Sequence, residues 1–255
     1  MSIIKNDIPL AEFDDSRKAV FEPEDFKAGF SLPEKAVFAF VGNCTDSYAE
    51  ACGAETVTEI ETITRFYPVY VRKYKDQDIC FIQAPMGASA AAEILEALIA
   101  CGVKKVLAAG SCGVLVDLPE NEFVIPERAL RDEGTSYHYL PPSRFIELDS
   151  KMTDKLCRCF DERGIHYKRT AVWTTDGLFR ETPEKVKYRL SEGCEVVDME
   201  CSALAAVCRF RGVDFAQFFY TADSLADVEN YDLRDFGRAS QEKALALCMD
   251  IIADM

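Results

Sequence analysis

Histidine is almost missing from this chain, with only His138 and His166 among 255 residues. No CxxC pair occurs either. A zinc site assembled from His and Cys is therefore not expected, and no metal or organic cofactor is implied. Positive charge is also scarce: 29 Lys and Arg stand against 44 Asp and Glu, a formal net charge of -15. That balance excludes nucleic acid as a partner, because phosphate-backbone affinity comes from Lys and Arg displacing counterions. A few local donors can still hold a small anion, since net charge does not dictate the local field. No apolar run approaches the length that crosses a bilayer, so no membrane association is expected. The start, MSIIKNDIPLAEFDDS, has neither the basic residues nor the apolar run of a signal peptide, and a cytoplasmic location is expected.

Cysteine is plentiful, at eleven residues. They fall singly, mostly inside apolar segments such as LAAVCRF and ALALCMD, and read as reduced, buried small hydrophobes. Residues 1–35 are polar, acidic and interrupted by Pro9, Pro23 and Pro33, which predicts an extended lead-in before a domain spanning 36–255. Within that domain strand-type and helix-type patterns alternate. AVFAFVG (36–42) reads as a strand followed by the turn and cap residues NCTDS, and VYVRKY and ICFIQA form a hairpin around KDQD. SAAAEILEALIACG is a helix stopping at Gly102; KVLAAGSCGVL is a strand running into a Gly-rich turn. NEFVIP, KRTAVWTT, CEVVDM and DFAQFFYTAD are further strands, separated by helices at 150–164, around PEKVKYRLSEG and over MECSALAAVCRFRG, with a last helix in RASQEKALALCMDII. The alternation predicts a single α/β domain, a three-layer αβα sandwich around a mixed twisted sheet. Ligands of such sheets bind at the carboxyl ends of strands, which here are the turns GNCT, GSCG, TTDG, DMEC and TADS.

One of these seams, EVVDMECSAL, sets two carboxylates, Asp198 and Glu200, between a β-branched run and an alanine-rich helix. Burying ionised carboxylates without partners is costly, so the seam needs a reason. Helix capping supplies one, because a negative charge is favoured in the first helical turn. Taken singly, each turn has an ordinary structural explanation. Their joint order is more specific. PMG, GSCGVL, TTDGLFRETPE, VVDMEC and TADS, at these intervals, resemble the nucleoside phosphorylase and nucleosidase superfamily, which includes hexameric-type purine nucleoside phosphorylase, uridine phosphorylase and methylthioadenosine nucleosidase. The resemblance runs from about Val37 to the last helix; its most specific piece is DMECSALAAVCRFRGV, and RDEGTSYHY is similar to uridine phosphorylase.

The resemblance implies cleavage of a nucleoside N-glycosidic bond, with phosphate or water attacking a sugar that becomes cationic. Glu200 matches the glutamate that accepts from the ribose 2′ and 3′ hydroxyls, and Met199 the residue that lines the sugar. Asp223 matches the acid that protonates a leaving purine, and at neutral pH an aspartate in that role must keep its proton, which burial at a strand end favours. The uracil-reading Gln-x-Arg pair of uridine phosphorylases is not evident in GLFRETPEK, which favours a purine. Thr175, Asp176 and Phe179 fall in the expected base pocket, where Phe179 and Trp173 can stack on a base or serve as core aromatics. Gly42, Ser111 and Arg65 match anion donors. Arg65 lies 22 residues before Gly87, as the family pattern requires, and in relatives it reaches the neighbouring subunit. Two other phosphate arginines of the family are replaced here by Asp46 and Ala108. The expected activity is accordingly phosphorolysis of a purine nucleoside to free base and ribose 1-phosphate, a pentosyl transfer of nucleoside salvage, with phosphate as co-substrate. Water-dependent nucleosidase chemistry and nucleoside binding without turnover are the alternatives. A homo-oligomer, dimer or hexamer, follows if Arg65 acts across subunits. His138 is read as a partly buried structural residue.

Overall fold

The computed structural model describes residues 3–26 and 31–255. All its named strands join one sheet, in the order β10-β6-β8-β9-β5-β1-β4-β3-β2, with β7 (Phe145–Glu147) beside β6. The strands are β1 (Lys35–Phe40), β2 (Glu55–Glu61), β3 (Phe66–Tyr74), β4 (Gln77–Gln83), β5 (Lys105–Val114), β6 (Phe123–Asp132), β8 (Tyr167–Thr175), β9 (Cys194–Asp198) and β10 (Asp214–Ser224). Among the described residues six α-helices cover it: α1 (Cys44–Cys52), α2 (Ala88–Ala100), α3 (Ser150–Glu162), α4 (Pro183–Ser191), α5 (Cys201–Arg211) and α6 (Gln241–Asp254).

The central strands are apolar on both faces because both faces are covered. Along β1, Ala36 and Phe38 pack with α2 and α5, whereas Val37 and Ala39 pack on the opposite side with α3 and α6. The same alternation divides Val106 and Ala108 from Leu107 and Ala109 in β5, as the period of a strand requires. The α/β sandwich expected from the sequence is present, with one addition. Strand β5 has three partners: β1 and β10 along its first half, then β10 and β9 near its end. Since β10 also pairs with β6, the run β5-β9-β8-β6-β10 closes on itself.

Several local expectations are corrected. GSCG is not a turn: Ser111, Cys112 and Gly113 continue β5 because β10 and β9 supply partners for their backbone groups. Gly110 is needed there for packing, since a Cβ would lie 2.9 Å from that of Phe40. Residues of NCTDS form the start of α1, which the short apolar content of CTDSYAEAC concealed. Strand β2, ETVTEIE, is a largely exposed sheet edge whose glutamates suit it to solvent. The hairpin turns at Lys75 and Asp76, both at positive φ as a two-residue connection with native twist demands. In the lead-in, short helical turns at Pro9–Ala11 and Pro23–Phe26 occur, and Phe13 is buried. Its Arg17 guanidinium donates to the Phe210 carbonyl and Glu22 pairs with Arg211, tying the segment to the end of α5.

Candidate functional site

The pairing around β5 brings chain-distant residues to one place. Gly42 follows β1; Ser111 to Gly113 end β5; Asp198, Met199 and Glu200 lead from β9 into α5; Asp223 ends β10. Because β5 touches β1, β9 and β10, the four sets gather around its carboxyl end. A Cβ on Gly113 would meet Val197, Leu225 and the Asp223 carboxylate, so this glycine leaves room for that acid.

Asp198 and Glu200 divide the work at the seam. Asp198 is buried; its Oδ2 accepts from the backbone N–H groups of Glu200 (3.0 Å) and Cys201 (2.7 Å), and its Oδ1 from the Thr174 hydroxyl (2.7 Å). From two residues before the N-cap position, which Glu200 occupies, it satisfies donors that the start of α5 leaves open. Burial nevertheless pushes its pKa up, against the three donors that favour the charge. Replacing Asp198 by Ala should cost about 2–3 kcal/mol in urea unfolding, from the lost cap and the stranded Thr174 hydroxyl. An undisturbed midpoint would refute the capping role.

Glu200 is equally buried, and its Oε1 accepts the Gly87 N–H at 2.6 Å. Gly87 sits at φ 97°, a conformation that favours glycine, and stands at the start of α2. Burial first, and the neighbouring Asp198 carboxylate second, raise the Glu200 pKa. A carboxyl group is thus held in a water-poor position, aimed by the PMG glycine.

Asp223 is half-buried, and its Oδ2 accepts from the Tyr231 hydroxyl at 3.0 Å. Tyr231 comes from the segment between β10 and α6, and nothing in the sequence pattern singled it out. In the GLFRETPEK stretch, Glu181 is half-buried. Thr182 is the N-cap of α4, bonding the Lys185 N–H, and Glu184 forms an exposed pair with Lys187.

The remaining predicted residues are placed unevenly. Thr175 is buried, its hydroxyl accepting from Gly177 N–H, and Asp176 accepts from Gly134 N–H at 2.8 Å, which ties the two site loops together. Phe179 is 94% exposed, whereas Trp173 is wholly buried with its indole N–H on Asp132. Trp173 is therefore a core aromatic. His138 is exposed, which corrects the expectation of a partly buried residue. Arg65 lies on the β2–β3 connection, away from Ser111, with its guanidinium over the Tyr67 ring. At the positions of the replaced arginines, Asp46 accepts from the Tyr70 hydroxyl at 3.0 Å and Ala108 is fully buried. Of the other arginines, Arg72 donates to the Tyr48 hydroxyl and Arg234 to the carbonyls of Ala222 and Leu118. Among the described residues, which include all eleven cysteines, no disulfide is formed. Among the described residues no group of His, Cys, Asp or Glu is arranged to hold a metal ion, and no helix is long and apolar enough to cross a membrane.

A family model described as the phosphorylase superfamily matches residues 37–253. Among curated sequences, the DeoD-type purine nucleoside phosphorylase of Bacillus cereus is 27% identical over 128 residues, 49% of this chain and 54% of that protein. The chain thus spans about half the length of the curated relatives it matches. Among solved structures, AMP nucleosidase from Bacteroides thetaiotaomicron aligns with a TM-score of 0.73 at 20% identity, covering 91% of this chain and 95% of that one. Uridine phosphorylase from Vibrio fischeri aligns with a TM-score of 0.75 at 20% identity, covering 90% and 100%. Both likenesses establish the fold.

Proposed function

The chain belongs to the phosphorylase superfamily, and from that premise we propose that it cleaves the N-glycosidic bond of a purine nucleoside, with phosphate as the attacking group and ribose 1-phosphate and free base as products. The observation that carries this reading is the gathering of Glu200 and Asp223 on either side of the end of β5. In it Glu200 holds the ribose hydroxyls and favours positive charge on the sugar, an effect strengthened where water is excluded. Met199 lines the sugar, Asp223 protonates the leaving base, and Thr175, Asp176 and Phe179 border the base. Similarity to the DeoD-type purine nucleoside phosphorylase of Bacillus cereus supports the choice of base.

Phosphate is assigned to the Gly42 N–H, the start of α1 and the Ser111 hydroxyl, with Arg65 of a neighbouring copy completing the site in a dimer or hexamer. Thiols left out of disulfides suit a cytoplasmic enzyme of purine salvage. A second reading, hydrolysis, has its own support: Asp46 and Ala108 stand where two guanidinium groups would hold phosphate, and charge-assisted pairs are the strong ones. One experiment separates them. Purified protein is incubated with a panel of purine and pyrimidine nucleosides, with and without inorganic phosphate, while free base and ribose 1-phosphate are measured. Base release from purines that requires phosphate is the expected result. Release at equal rates without phosphate would establish hydrolysis, and binding without any release would reduce the protein to a nucleoside receptor. Sedimentation of the same active preparation should show a dimer or larger; an active monomer would remove Arg65 from the site.

A further inference from the structure

Tyr231 is 55% exposed, so its ring adds little to the core, yet its hydroxyl is engaged with the Asp223 carboxyl group. The segment that brings it there is fastened to the end of β10 on both sides of that acid. Ser224 and Asp232 exchange backbone hydrogen bonds of 2.8 and 3.1 Å, and the Arg234 guanidinium donates to the carbonyls of Ala222 (3.2 Å) and Leu118 (2.8 Å). Asp223 lies between these two grips, with Tyr231 on its side chain at 3.0 Å. The turn before Tyr231 is closed as well, since Asp227 accepts from the Glu229 N–H and from the Asn230 side-chain amide. The two carboxyl oxygens of Asp223 therefore have different surroundings. Oδ2 accepts from Tyr231, whereas Oδ1 faces Gly113 at the end of β5, where a Cβ would stand 3.5 Å from it. In a protonated carboxyl the carbonyl oxygen is the better acceptor, so with Oδ2 taking the Tyr231 O–H the proton of Asp223 belongs on Oδ1.

We propose that Tyr231 is a positioning residue for the reaction: it holds Asp223 by Oδ2, turns Oδ1 and its proton toward the leaving base, and stabilises the carboxylate that remains once the proton has gone. The inference rests on the reading that Asp223 protonates the base. As the bond from C1′ to the base nitrogen breaks, its electron pair passes to the base, the Oδ1 proton moves to a base nitrogen, and the nucleophile bonds to C1′. Asp223 is left ionised and then takes a proton from solvent. Tyr231 keeps its own proton throughout; desolvation first, and the Asp223 charge second, lift its pKa to about 12. A hydrogen bond to an ionised acceptor is roughly twice as strong as one to a neutral acceptor, so the Tyr231 contact strengthens as the proton leaves. An interaction that grows toward the transition state raises turnover and not binding.

Tyr231→Phe keeps the ring and removes only the hydroxyl. On an ordinary purine nucleoside its kcat should fall about tenfold, with KM close to that of wild type. An N7-methylated purine nucleoside, whose base is already cationic and leaves without a proton, should show no comparable loss. The decisive arm combines Tyr231→Phe with Asp223→Asn. With the acid gone the hydroxyl has nothing to act through, so the double variant should be no slower than Asp223→Asn alone. Wild-type kcat in Tyr231→Phe would overturn the proposal. So would an equal loss on both nucleosides, or a further loss in the double variant, since either marks a role in the shape of the segment. Wild-type activity in Asp223→Asn would remove the acid itself and the positioning role with it, whereas an impaired Asp223→Asn beside an unaffected Tyr231→Phe would overturn the positioning role alone.

Discussion

Replacing Glu200 by Gln should lower base release by about 10²- to 10³-fold, the usual cost of removing one preorganised electrostatic group aimed at a charged transition state. The substitution keeps the side-chain volume, and the amide oxygen still accepts the Gly87 N–H, so the fold should survive. The loss should fall on kcat more than on KM, because the interaction grows as the sugar becomes cationic. A second signature follows from burial. The carboxyl of Glu200 is buried beside that of Asp198, and its folded pKa is raised above the unfolded value. The folded state therefore binds the proton more tightly than the unfolded chain. The stability this adds is complete below the ordinary glutamate range and disappears as pH rises through the raised value. Glu200→Gln has no such proton to lose. Its melting temperature should match that of wild type near pH 4 and exceed it at pH 9, by roughly 2–4 °C for each kcal/mol relieved in a chain of this size. Normal turnover in this variant would remove Glu200 from the site. An unaltered pH dependence of melting would refute the stored cost.

Replacing Asp223 by Asn should lower cleavage of ordinary purine nucleosides by about 10²- to 10⁴-fold, the range that general acid catalysis supplies. Asn retains an acceptor for the Tyr231 hydroxyl, now 3.0 Å from Oδ2, so the end of β10 should keep its shape. The discriminating measurement is the choice of leaving group. A base that must be protonated to leave should suffer the whole loss, whereas an N7-methylated purine nucleoside should be cleaved at a rate within about tenfold of wild type, since Asp223 then has no proton to give. Equal losses on both would mean that Asp223 holds the site's shape and is not its acid. If both results are obtained, the proposed reaction divides across β5: charge on the sugar is countered from the α5 side, and the base is released on the β10 side.

Much of the architecture was readable locally. The apolar run of β1, the helical spacing of α2 and α5, and the glycines that follow them, Gly102 and Gly212, are written in patterns of period 2 and 3.6. α1 and β2 escaped because the first is short and weakly apolar and the second is an exposed edge, where burial imposes no alternation. GSCG misled for another reason. Glycines that permit a turn also permit close packing, and only the neighbours Phe40, Val197 and Leu225 reveal which is used. At the site, Asp198 as cap was foreseeable from its place before a helix. The order of motifs pointed to Met199, Glu200, Ser111 and Asp223, and the fold brings the segments that carry them to the end of β5. Phe179 and His138, both exposed, show that residue type does not predict burial at a loop.

By itself, then, the sequence determined which segments are strands buried on both faces, where most helices start and stop, and which superfamily the turns belong to, because these depend on residues close along the chain. Tertiary structure alone decided that β5 has three partners, that Gly87 aims Glu200, and that the Tyr231 hydroxyl meets Asp223. The physical reason is that a carboxyl group's charge state follows from what surrounds it in space. Glu200 follows β9 and Asp223 lies near the end of β10, and only the pairing of both strands with β5 brings the two acids to one end of the sheet.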